Sequence, residues 1–341
     1  MPLPEIEWGE PLLTPVVEAE YEAEFLKRMS PWLTSAVLSL NDQQKVAYAP
    51  LRVMGIVYFI TCQENSCRYC YGVARALMKI WGYRERQIQD LEHEANLADG
   101  STRKVVQFAR KLARANPAPA KEDREILLRD GFREEEIAEI AACVVKACFA
   151  NRMATFLALP PNVAIERIPN TLFGKLFSII LRKKSEPRKA PPPKGFRQSG
   201  PCAEIIAAAG NSYLAMWLRG LTDGWLASPV IPRRSKLLMF AIVARQLGSR
   251  LCEEEARVHL EREGLSPPEI DAILSTLTSP GMTDLETKLV RWTRETVWYE
   301  PRLIQDSTRR LLADVGEQRA IEAVGTAALC NSLSRLSLVR Q

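Results

Sequence analysis

Apolar residues along this 341-residue chain recur every three to four positions, and stretches of strict alternation are few. The pattern predicts an all-α protein. Helical periodicity begins near Glu20 and runs, with a break at Pro31, to about Leu40. An almost wholly apolar helix follows over Leu51–Thr61. The next takes Asn65 or Ser66 as its N-cap and ends at Gly82, a residue that tolerates the left-handed C-cap conformation. A short charged helix fits 84–93, and Ser101 caps one whose Val105, Val106, Phe108, Ala109 and Leu112 share a face. Helices over Lys121–Arg129 and Arg133–Leu159 complete the first half, and Ile168–Leu181 reads as amphipathic.

Residues 182–201 interrupt the periodicity. Pro187, Pro191-Pro192-Pro193, Gly195 and Gly200-Pro201 sit among seven basic residues, which suits a solvated, semi-rigid connector. Helical patterning then resumes and echoes what came before. Lys104–Arg110 lines up with Lys288–Arg294, Leu127–Asp130 with Leu311–Asp314, and Ile137 with Ile321, all 184 residues apart. Arg152 and Arg335 differ by 183, and Cys67 and Cys252 by 185. A nearly constant offset over this distance reads as two copies of one helical unit. The expected organisation is an irregular arm at 1–19, a first unit at 20–181, the connector at 182–201 and a second unit at 202–341. Ser266-Pro267-Pro268-Glu269 and Thr283-Asp284-Leu285-Glu286 are capping boxes that mark helix starts in the second unit.

Composition narrows the function. Hydrophobic residues at 47% and charged ones at 26% suit a water-soluble domain, and a net charge of +5 over this length is too mild to call for nucleic acid. The acidic, proline-containing start lacks the basic and apolar regions of a signal peptide, and no apolar run is long enough to span a membrane. A cytoplasmic protein is expected. No glycine-rich phosphate loop or second cysteine pair occurs, so neither a nucleotide or flavin cofactor nor a metal is indicated.

The sharpest chemical signal is Glu64-Asn65-Ser66-Cys67-Arg68-Tyr69-Cys70-Tyr71. Cysteines three apart at a helix start face the same way, close enough to exchange a disulfide. The partial positive charge of the helix N-terminus, with Arg68 alongside, is expected to favour a thiolate. Glu64 is the nearest carboxylate in sequence. The second unit carries Cys252, Glu255 and His259 on one helical face, a thiol and a base without a thiol pair. Cys62, Cys143, Cys148, Cys202, Cys252 and Cys330 stand among apolar residues, as small buried hydrophobes do.

A Cys-x-x-Cys helix in an all-helical unit, a histidine downstream of a cysteine on the matching helix, Gly264-Leu265-Ser266-x-x-Glu269-Ile270 after it and Asn331-x-x-x-Arg335 at the end together resemble the carboxymuconolactone decarboxylase and alkylhydroperoxidase D-like superfamily. The resemblance spans both halves and implies a fused tandem form, each unit packing its motif helix in a multi-helix bundle. It implies a thiol-dependent peroxidase or disulfide oxidoreductase in which Cys70 attacks a peroxide and Cys67 resolves it. It also implies a thiol electron-donor protein and a homo-oligomer. His259 would stand at the relay-histidine position, with Ala74 its counterpart in the first unit, and Gly55 occupies the place of the family's relay glutamate. Alternatives are a non-redox decarboxylase acting on a small organic acid, or a structural homologue.

Overall fold

The structure is a computed structural model that describes residues 6–13, 26–42, 45–93, 99–119, 121–171, 179–180, 182–183, 185–194, 196 and 199–340. It is all-α: sixteen helices and one pair of two-residue strands among the described residues. The first half holds α1 (Pro31–Asp42), α2 (Leu51–Glu64), α3 (Arg68–Ile80), α4 (Glu85–Glu92), α5 (Gly100–Arg114), α6 (Lys121–Arg129), α7 (Glu134–Phe156) and the short α8 (Val163–Arg167). The second holds α9 (Ala203–Ile206), α10 (Tyr213–Ala227), α11 (Arg233–Gln246), α12 (Arg250–Arg262), α13 (Pro267–Thr276), α14 (Asp284–Glu295), α15 (Pro301–Val315) and α16 (Glu317–Leu338). No described helix is long and apolar enough to cross a membrane.

The two longest helices, α7 and α16, are buried nearly all round and pack against each other at the centre. Ser332 Oγ donates to Val145 O between them at 3.0 Å. Around this pair the contacts of the two halves run in parallel. Helix α2 packs on α3, α5 and α7, as α11 does on α12, α14 and α16. Helices α2 and α11 begin at 51 and 233, α3 and α12 at 68 and 250, and α4 and α13 at 85 and 267, a constant 182 apart. Both predicted capping boxes are formed.

Several boundaries differ from the sequence expectation. Helix α1 starts at Pro31, where a proline loses no intrahelical hydrogen bond, and the periodicity at 20–25 lies outside the described residues. Asp99, not Ser101, caps α5, accepting from the Ser101 N–H at 3.0 Å. Of the expected helix over 168–181, Ile168–Asn170 is a 3-10 turn, Ile179 and Ile180 are helical, and 172–178 and 181 lie outside the described residues. The basic connector is exposed or half-buried at nearly all of its described residues, as expected, but it is also docked. Arg188–Lys189 (β2) pairs in parallel with Lys45–Val46 (β1), and Lys189 Nζ donates to Tyr48 O and Ala49 O at 2.5 and 2.8 Å. Those carbonyls belong to the turn before α2, whose Ala47, Tyr48 and Ala49 N–H groups all donate to buried Glu139 at 2.8 Å.

Candidate functional site

Cys67 is itself the N-cap of α3, because Ser66 turns the chain with φ 47° and hands over to an extended Cys67. Its Sγ accepts the Cys70 N–H at 3.4 Å. At the same place in the second half, Ser249 caps α12 and its Oγ accepts the Cys252 N–H at 3.4 Å. Cys70 and Cys252 thus hold the same position relative to the N-caps of α3 and α12, as do Cys67 and Ser249, whereas Cys67 and Cys252, aligned by sequence offset, do not. In this register Ala74 corresponds to Ala256, and His259 to Leu77.

Both motif thiols are buried, Cys67 at 0% and Cys70 at 5% exposure, within an apolar cluster that includes Phe59, Ile60, Tyr71 and Met78. Burial pushes both thiols up, Cys67 and Cys70 alike, and overrides the helix end. The expectation of a lowered pKa is therefore overturned. Arg68 does not supply the missing charge, since its guanidinium pairs with both carboxylate oxygens of Glu166 at 2.7 and 3.0 Å. Gly72 makes room for that carboxylate; a Cβ there would lie 2.0 Å from Glu166 Oε1. Glu64 is likewise engaged, paired with Arg110 at 2.7 Å and with Arg114.

Cys70 lines an apolar cavity of about 290 Å³ together with Met54, Tyr58, Tyr69, Cys143 and Lys146. Burial holds the Lys146 ammonium down to about 8 and the Tyr58 phenol neutral well above its ordinary range. An outer groove of about 390 Å³, lined by Arg52, Tyr83 and Glu186, shares Gly55, Trp81 and Pro187 with this cavity, so the Trp81 ring stands between the two. Trp81 Nε1 donates to Ser185 Oγ at 3.0 Å. At Gly55 a Cβ would lie 2.7 Å from that ring, which fills the space a glutamate side chain would need.

Behind Cys70 runs a polar seam in the apolar cluster. Asn65 Nδ2 donates to Asn151 Oδ1 at 2.9 Å and approaches Cys148 Sγ at 3.5 Å, and Asn151 Nδ2 donates to Cys62 Sγ at 3.3 Å. Tyr299, from the turn between α14 and α15, lies within electrostatic reach of Cys67 and Cys70, with Arg152 4.7 Å over its ring. Sequence reading missed Asn65, Tyr58, Asn151 and Tyr299. A legible signal existed for one of them: Lys146, Asn151 and Arg152 are polar breaks in an otherwise apolar 23-residue helix.

Glu255 and His259 meet as the sequence spacing places them, Nε2 to Oε1 at 3.2 Å, and Glu255 also accepts the Cys202 N–H at 2.7 Å. His259 is buried rather than exposed. Neither cavity is lined by Glu255, His259 or Cys252, and no described contact joins them to Cys67 or Cys70. The buried Cys252 thiol is pushed up to about 11 despite serine hydroxyls around it. No group of three described acidic, histidine or cysteine side chains is placed to hold a metal. Comparison with protein-family models, curated proteins and solved structures found no match.

Proposed function

We propose that the protein is a thiol-dependent peroxidase or disulfide oxidoreductase working through Cys70 and Cys67. The observation that carries this reading is that Cys70 opens onto an apolar cavity while Cys67 lies directly behind it, its sulfur already on the Cys70 N–H. In the reaction, the Cys70 thiolate attacks one peroxide oxygen and the O–O bond breaks. The departing alkoxide takes up a proton from water, replacing the one the Cys70 thiol gave to solvent, and leaves as the alcohol, while Cys70 becomes a sulfenic acid. The Cys67 thiol then displaces the sulfenic hydroxyl as water, and the disulfide forms.

Parallel helix order, contacts and N-caps support a reading of two copies of one unit, the second without the dithiol because Ser249 replaces Cys67. That reading keeps the likeness to the alkylhydroperoxidase D-like superfamily, and with it a homo-oligomer, a cytoplasmic setting and a thiol donor protein. The non-redox alternative would centre on Glu255 and His259, which line neither of the two cavities described above.

Thiol titration tests the reading. Wild type exposed to one equivalent of cumene hydroperoxide at about pH 8.5 is expected to lose two thiols that dithiothreitol restores, and Cys70→Ser to lose none. No thiol loss in wild type overturns it.

A further inference from the structure

Three cysteines, not two, stand at the junction of α2 and α3. Cys62 occupies the last turn of α2, and its carbonyl accepts the Cys67 N–H at 3.4 Å, which closes the turn between the helices. The Cys62 sulfur lies within side-chain reach of Cys70, and the Asn151 amide that donates to Cys62 at 3.3 Å also reaches Cys70. Asn151 thus holds the Cys62 sulfur on the side of the α2–α3 junction where Cys70 lies. Cys62 is fully buried and does not line the cavity, so a substrate that enters meets Cys70 first.

We infer that Cys62 is a third redox cysteine of this site, a second resolving thiol that condenses with oxidised Cys70. The inference rests on the proposed thiol chemistry at Cys70. The hydroperoxide oxidises Cys70 to the sulfenic acid and leaves as the alcohol. The Cys62 sulfur then attacks the Cys70 sulfur, and the S–O bond breaks. The Cys62 proton departs with the hydroxyl as water, leaving a Cys62–Cys70 disulfide. Cys67 can next attack the Cys70 sulfur, forming Cys67–Cys70 and returning Cys62 to the thiol. Position divides the roles. Cys70 sits in the first turn of α3 and lines the cavity, whereas Cys62 sits in the last turn of α2 and does not, so the oxidant reaches Cys70 and Cys62 can only resolve. Cys67 leaves its capping position on α3 when it reacts, whereas the Cys62 side chain caps no helix.

The test is single turnover of Cys67→Ser with one equivalent of cumene hydroperoxide, read by thiol titration and by peptide mapping of disulfides. The expected result is loss of two thiols, restored by dithiothreitol, with a peptide pair linked through Cys62 and Cys70. The double variant Cys67→Ser/Cys62→Ala is expected to lose one thiol and to carry a dimedone-reactive sulfenic acid on Cys70. Thermal melting of each variant establishes that it is folded. If folded Cys67→Ser yields dimedone-reactive Cys70 with no Cys62 link, the inference is overturned and the reaction at Cys70 stands. If wild type and Cys67→Ser both keep all their thiols, the proposed function and the inference fall together.

Discussion

Arg152 and Arg335 each end on backbone carbonyls supplied by the opposite half of the chain. Arg152 of α7 donates to Thr296 O at 2.7 Å and to Val297 O, just past the end of α14. Arg335 of α16 donates to Ala113 O at 2.9 Å in the last turn of α5. Helices α5 and α14 hold matching places in the two halves, so the exchange is reciprocal. Helix C-termini present unpaired carbonyls and a partial negative charge, and a buried guanidinium answers both. Both arginines are fully buried, and burial holds Arg152 down to about 9. The exchange locks the halves together and places Tyr299 beside the thiols.

Replacing either arginine leaves buried carbonyls without a donor, at about 1–3 kcal/mol each. Arg152→Met is expected to lower unfolding stability by roughly 2–4 kcal/mol in urea titrations, and Arg335→Met by a similar or smaller amount. Because each charge opposes the other, the double variant is expected to lose more than the sum of the two. An Arg152→Met protein as stable as wild type would remove the capping role.

The buried thiols fix the sign of the pH dependence. Burial raises Cys67, Cys70, Cys202 and Cys330, brings Cys143 to about 12 and brings Cys252 to about 11. In the unfolded chain a thiol titrates near ~8.5. Below that pH both states hold their protons and the stability is fully present. Above it the unfolded chain ionises first, so stability falls as pH rises towards the folded values, by up to ~1.4 kcal/mol per pH unit for each thiol. Urea midpoints are expected to hold steady to about pH 8 and to decline beyond it. Alkylation of Cys70 should rise about tenfold per pH unit over the same range without a plateau, since only the thiolate reacts. A midpoint that stays flat to about pH 10 would contradict the burial of these groups.

Gly55 and Trp81 make a third test. An added Cβ would meet the ring at 2.7 Å, and the ring is held by Ser185. Gly55→Ala is expected to destabilise by about 1–3 kcal/mol through overpacking and to shift tryptophan emission. Because Trp81 walls the cavity, the same change should alter the rate at which Cys70 reacts with cumene hydroperoxide more than with hydrogen peroxide. Equal effects on both oxidants would show that the wall does not select.

The sequence by itself determined the all-α class, because the three-to-four-residue apolar period and the capping boxes at Ser266 and Thr283 are local and act within one helix. It also determined that Cys67 and Cys70 stand together, since three positions at a helix start leave them nowhere else to be. The tertiary structure decided their environment. Helix-end charge argued for a thiolate, yet packing of α3 against α2 and α7 buries both sulfurs, and desolvation outweighs a partial charge. Only the fold brought Asn151 and Tyr299 to the dithiol, from 81 and 229 residues beyond Cys70. It also drew Arg68 to Glu166 and Glu64 to Arg110, contacts that span nearly a hundred and nearly fifty residues. Periodicity records which face of a helix is apolar, and carries no record of which distant helix will cover it.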